Sequence, residues 1–92
     1  MKVLGRSRYD LKIAILDACM SRLRPTHLMY RVNVNPSVLN ELITDLVKRG
    51  LLTELPDTRK NRSFFKTTTA GYNLLVSWRQ IVSELGSVSS VG

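Results

Sequence analysis

Ninety-two residues, 43% apolar and 23% charged, are the size and balance of one globular domain, and 14 Lys+Arg against seven Asp+Glu leave a net charge of +7. No apolar run approaches the ~18 residues that cross a membrane, and the opening MKVLGRSRYD lacks the hydrophobic stretch of a secretory signal. The lone Cys19 excludes an internal disulfide and cannot build a zinc site, so the chain is expected to be intracellular, with a reduced thiol.

Residues 1–7 carry no periodic pattern and are expected to form a loose basic arm. Ser7 is placed to cap a first helix, with Asp10 as the acid near its positive end. Leu11, Ile15, Leu16, Cys19, Met20 and Leu23 recur at helical spacing, which predicts a helix over about 8–22. Arg24-Pro25-Thr26 breaks it: Pro25 cannot continue a helix, and Thr26 can cap the next, a short one over about 27–32. After the turn Asn33-Val34-Asn35, the pair Asn35-Pro36 is a strong start signal, a capping side chain followed by proline at the first helical position. The third helix is predicted over 36–49, with Val38, Leu39, Leu42, Ile43, Leu46 and Val47 as its apolar stripe and Gly50 as its left-handed end.

Then the period changes. Residues 51–55 and 63–67 read as short strands around the polar, basic segment 56–62, a hairpin with a long tip. Thr68 can cap a last helix over 69–85, and 86–92 is expected to be a disordered tail. The fold class is therefore mainly α with a small β-hairpin. Two helices joined by a tight turn and followed by a hairpin make a winged helix-turn-helix, here over residues 8–85 with a C-terminal dimerisation helix.

Four stretches carry a family resemblance: Ala14-Ile15-Leu16-Asp17-Ala18-Cys19, Thr26 to Tyr30, Leu42 to Leu52, and Thr68-Thr69-Ala70-Gly71. As a set, across about 8–85, they resemble the small archaeal winged helix-turn-helix DNA-binding proteins. Those include the crenarchaeal "ten-a" chromatin proteins and ArnR-like regulators. The resemblance implies double-stranded DNA binding, sequence-tolerant or operator-specific, and dimerisation through the last helix. That helix, at about 25 Å, is short for the extended coiled coil of the chromatin members.

The charge is patched. No acid lies from Ala18 to Asn40 or from Thr58 to Ala70, where Arg22, Arg24, Arg31, Arg59, Lys60, Arg62 and Lys66 fall, so nucleic acid is the expected partner. In this fold the third helix enters the major groove and the wing reaches backbone or minor groove. Its outward face would carry Ser37, Asn40, Thr44 and Lys48, of which Asn40 suits adenine and Lys48 a phosphate. Glu41 and Asp45 on that helix oppose phosphate and are expected to pair with Lys48 and Arg49. Arg59, Lys60 and Arg62 on the wing are phosphate candidates, as are Thr26, His27 and Arg31 on the second helix.

Leu75, Trp78, Val82 and Leu85 form a 3-4-3 seam with Leu74 and Ile81 beside it, more apolar surface than a lone domain covers, which predicts a homodimer. Cys19, Met29 and Tyr30 read as packing residues, and of Phe64 and Phe65 one should face inward. No catalytic set, cofactor loop or metal cluster is evident, so no enzyme, cofactor or metal is expected. A regulator in the cytoplasm, associated with the nucleoid, is the expectation; the alternatives are a protein-interaction adaptor and a sequence-tolerant chromatin protein.

Overall fold

The computed structural model describes residues 8–57 and 62–85, Arg62 by its backbone alone. The elements run α1 (Arg8–Ala18), α2 (Pro25–Val32), α3 (Pro36–Lys48), β1 (Leu52–Asp57), β2 (Arg62–Thr67) and α4 (Thr69–Glu84). The expected arm at 1–7 with its Ser7 cap, and the tail at 86–92, lie outside the described residues.

The core joins Leu11, Ile15, Leu16 and Cys19 of α1 and its end to Leu28 and Val32 of α2, to Leu39, Leu42, Ile43 and Leu46 of α3, and to Leu52 of β1. Three of the sequence-based packing assignments fail. Met20 and Val47 are exposed, and Tyr30 is 77% exposed on the outer face of α2. Met20 lies past the end of α1, where helical spacing no longer applies, while Val47 and Tyr30 fall beside the buried lines Leu39, Leu42, Ile43 and Leu46 of α3 and Leu28 and Val32 of α2.

Helix α1 stops at Ala18, four residues short of the expected end. Its last carbonyls are taken by β2 instead of by another helical turn. Thr67 donates its hydroxyl to the Leu16 carbonyl at 2.6 Å and its N–H to that of Cys19 at 2.9 Å, while Lys66 Nζ reaches the Met20 carbonyl at 2.9 Å. The chain then runs extended, and Leu23 pairs with Phe65 as a one-residue third strand, so β2 is central and β1 is an edge. The edge position lets Pro56 sit in β1 opposite Ser63.

Pro25 opens α2 where the sequence suggested a break. Arg24 is the N-cap, extended because proline at the first position forces its predecessor out of the helical region, and without a side-chain cap bond because a guanidinium has no acceptor to offer. Asn33 closes α2 in the left-handed conformation at φ 61°. Asn35 caps α3 as expected, its side-chain oxygen accepting from the Val38 N–H at 2.9 Å. Gly50, at φ 74°, ends α3, with the Gly50 N–H on Val47 O and the Leu51 N–H on Leu46 O, each at 3.0 Å.

The hairpin is antiparallel, from Leu52↔Thr67 to Asp57↔Arg62, so the strands extend further than expected and the connection shortens to 58–61. Thr68 caps α4 and also ties it back: its hydroxyl accepts from the Gly71 N–H at 3.1 Å and donates to the Gly50 carbonyl at 2.7 Å. Helix α4 leans on α1 and β2 through this first stretch, and Arg79 pairs with Asp17 at 2.5 Å.

Cys19 is the core thiol that its place in the apolar stripe indicates. Burial pushes its pKa from 9.0 to about 11, with the charge of Arg31 pulling the other way. The unfolded thiol ionises first, so this contribution to stability is whole below pH 9 and is lost between pH 9 and about 11. Urea midpoints across that window should fall more steeply for the wild type than for Cys19→Ala, the difference isolating the thiol from lysines and tyrosines. Parallel profiles would contradict the assignment.

Candidate nucleic-acid interface

Helix α3 turns one face to the core and leaves the other uncovered. Ser37, Asn40, Thr44 and Lys48 are all exposed, opposite the buried Leu39, Leu42, Ile43 and Leu46. These are short hydrogen-bonding side chains and one cation, suited to base edges and phosphates.

The two acids on α3 are held mainly by α1. Arg8 Nη1 meets Glu41 Oε1 at 2.9 Å, and Lys12 Nζ meets Asp45 Oδ2 at 2.6 Å. Arg49 adds a second contact to Asp45 Oδ2 at 3.0 Å, as its i,i+4 spacing suggested. The Lys12 and Arg49 bonds hold the Asp45 carboxyl below its usual pKa. Lys48 is not Glu41's partner; it takes part in none of the ion pairs among the described residues and stays on the outer stripe. Residues four apart along α1 match residues four apart along α3, so the two helices run side by side in register. That long-range pairing carries no local signal.

Thr26, His27 and Arg31 are exposed on α2. Among the described residues no group of three potential ligands surrounds His27 or any other site. Of the wing candidates, Arg59 and Lys60 lie outside the described residues, and so does the side chain of Arg62, which opens β2 opposite Asp57.

The root of the wing holds a cluster that sequence reasoning missed. Arg22 and Arg24 lie over the Phe64 ring, 4.9 and 4.6 Å from its centroid, and Arg24 Nη2 bonds Asp57 Oδ2 at 2.7 Å. The alternation Arg22-Leu23-Arg24 was the available signal: it places both cations on one side of the Leu23 bridge, while Leu23 and Phe65 pack against the core.

On α4, Leu75 is 1% exposed and belongs to this chain's own interior, so it leaves the proposed seam. The side chains facing outward are Leu74, Ile81 and Leu85, with Trp78 and Val82 half-buried. Leu74, Trp78, Ile81 and Leu85 form a 4-3-4 stripe, one position round from the 3-4-3 line read in the sequence.

A winged helix-turn-helix family model matches residues 5–85. The fold is similar to that of Sso10a-2, a DNA-binding protein from Sulfolobus solfataricus, with TM-score 0.79 and 21% identity over 94% of this chain and 88% of that one. It is similar to the transcriptional regulator BldR from the same organism, at TM-score 0.72 and 21% identity over 89% of this chain and 66% of that one. A mutant E. coli MarR complexed with operator DNA matches at TM-score 0.69 and 21% identity, over 86% of this chain and 56% of that one. The chain thus spans little more than half the length of the bacterial regulators it resembles. No curated protein matches the sequence with comparable significance.

Proposed function

Because this chain belongs to the winged helix-turn-helix family, a DNA-binding fold and not an enzymatic one, we propose that it is a dimeric transcriptional regulator that binds double-stranded DNA. Helix α3 enters the major groove through Ser37, Asn40, Thr44 and Lys48. The wing at 56–62 meets backbone or minor groove through Arg59, Lys60 and Arg62, and Thr26, His27 and Arg31 of α2 hold phosphate. Residues 8–85 form the binding unit, 1–7 and 86–92 its arm and tail, and the setting is the cytoplasm, at the nucleoid. Two copies joined along α4 place two reading helices about 34 Å apart, which suits a palindromic site.

One observation carries this reading: the outer face of α3 is left uncovered by the rest of the fold, its two acids being met by cations of α1. A protein-interaction adaptor would offer those acids unpaired to a basic partner, so their pairing also weakens that alternative. Sso10a-2 is a DNA-binding protein and the MarR mutant is complexed with operator DNA, in agreement with the proposal. A chromatin role is the weaker alternative, since α4 has 16 residues, about 24 Å of helix.

Fluorescence anisotropy with a duplex at several salt concentrations tests it. Three to five phosphates neutralised per monomer should give log K against log salt a slope of roughly −5 to −9 for the dimer. Reversing Arg59 and Lys60 to Glu should flatten that slope by about 2 per monomer. A salt-independent affinity, or one untouched by the double reversal, removes the DNA reading or the wing's part in it respectively.

A further inference from the structure

Glu41 stands midway along the face that would read DNA, on the side nearer α1. At ~100° per residue, Ser37, Glu41, Thr44 and Lys48 fall on one line at i, i+4, i+7 and i+11. All four are exposed, with Asn40 on one flank and Asp45 on the other. A helix that met only phosphates would gain nothing from a carboxylate at that point.

The two acids of α3 are held differently. Asp45 is withdrawn, with both Lys12 and Arg49 on its Oδ2. Glu41 is met by Arg8 at one oxygen, Oε1, and the Arg8 and Glu41 side chains stay 58% and 63% exposed. The carboxylate is therefore steadied from outside its own helix and partly neutralised, yet has room for a second donor.

Major-groove base edges offer such a donor on cytosine N4 and on adenine N6, but adenine N6 sits beside the N7 acceptor, which repels a carboxylate. We propose that Glu41 is a specificity-determining residue that accepts a hydrogen bond from cytosine N4, with Arg8 as its positioning residue, so that each half-site carries a C·G pair opposite the centre of α3. The proposal rests on the DNA reading above and deepens it.

Selection of bound fragments from a random duplex library, run in parallel on the full chain and on Glu41→Gln and Arg8→Ala, tests it, with anisotropy on unselected duplex as the companion measurement. The wild type should enrich cytosine at one fixed position. Glu41→Gln should bind unselected duplex at least as tightly, since a negative charge is gone. Its preference at that position should fall about tenfold, within the usual effect of one mismatched pair, or turn to adenine, which glutamine reads. Arg8→Ala should bind every duplex more weakly, the Glu41 carboxylate no longer offset, and should also blur the cytosine preference, that carboxylate no longer being held in one direction. A cytosine preference undiminished in Arg8→Ala overturns the positioning role. Identical selected sites for wild type and Glu41→Gln, with both binding DNA, overturn the role of Glu41 and leave the DNA reading standing. A wild type that binds no duplex overturns both.

Discussion

Gly71→Ala is expected to destabilise the fold by about 2–4 kcal/mol, a sum of overpacking and lost capping, where the same change inside an ordinary helix stabilises by about 1 kcal/mol. A Cβ at Gly71 would overlap the Leu51 carbonyl oxygen and lie 2.7 Å from Thr67 Cγ2. Neither neighbour can yield cheaply. The Leu51 carbonyl accepts the Thr68 N–H at 3.1 Å, and Thr67 is pinned through its hydroxyl to Leu16 and its N–H to Cys19. Moving α4 outward to make room would also strip the Thr68 cap from the Gly71 N–H. For a domain of this size the melting temperature should fall by roughly 10–25 °C, at about 4–8 °C per kcal/mol. Gly50→Ala is the control: open space surrounds it, its φ of 74° is the only obstacle, and a cost near 1 kcal/mol is expected. Thermal and urea melts of both variants decide the matter. A Gly71→Ala protein as stable as the wild type would mean that α4 is not seated against Leu51 and Thr67.

Ile81→Asp is expected to yield a folded monomer and to weaken binding to a two-site duplex by about a hundredfold, through loss of the linked second contact. Ile81 is 50% and Leu85 70% exposed, and with Leu74 and Trp78 they form an apolar stripe about a quarter-turn round the helix from Leu75, which lies inside the chain. A carboxylate in the centre of that stripe would have to be buried unpaired if two copies still met there. The same change leaves the interior untouched, so the melting temperature measured on the monomer should reflect lost association rather than lost packing. Sedimentation equilibrium on wild type and variant, with anisotropy on one-site and two-site duplexes, reads both effects. A wild type that sediments as a monomer at high micromolar concentration would end the dimer proposal, and equal affinities of the variant for the two duplexes would support it.

The local signals in the chain were strong where one or two residues settle a backbone choice. Asn35-Pro36 started α3, Gly50 ended it and Thr68 started α4, each by a capping bond or a φ that few other residues serve. Helix-to-strand order and hence the winged architecture followed, because a change of apolar period from 3.6 to 2 is written in consecutive residues. The end of α1 did not follow. Met20 and Leu23 continue a helical period, but the Leu16, Cys19 and Met20 carbonyls find better partners on Thr67 and Lys66, more than forty residues away. The Thr26 cap failed for a related reason, since Pro25 itself took the first helical position.

The interface divides along the same line. Exposure of Ser37, Asn40, Thr44 and Lys48 was legible, because amphipathic spacing names the outer face of a helix without reference to its neighbours. The partners of Glu41 and Asp45 were not, since Arg8 and Lys12 reach them only once α1 lies alongside α3. Nor was the stacking of Arg22 and Arg24 on Phe64, or the choice of Leu75 over Leu74 for the interior of α4. Periodicity and caps are short-range, so the chain alone determined the elements, their order and the family. Which face each element buries to its edge, where a helix yields to a strand, and which charges cancel are contests between distant groups, and only packing decided them.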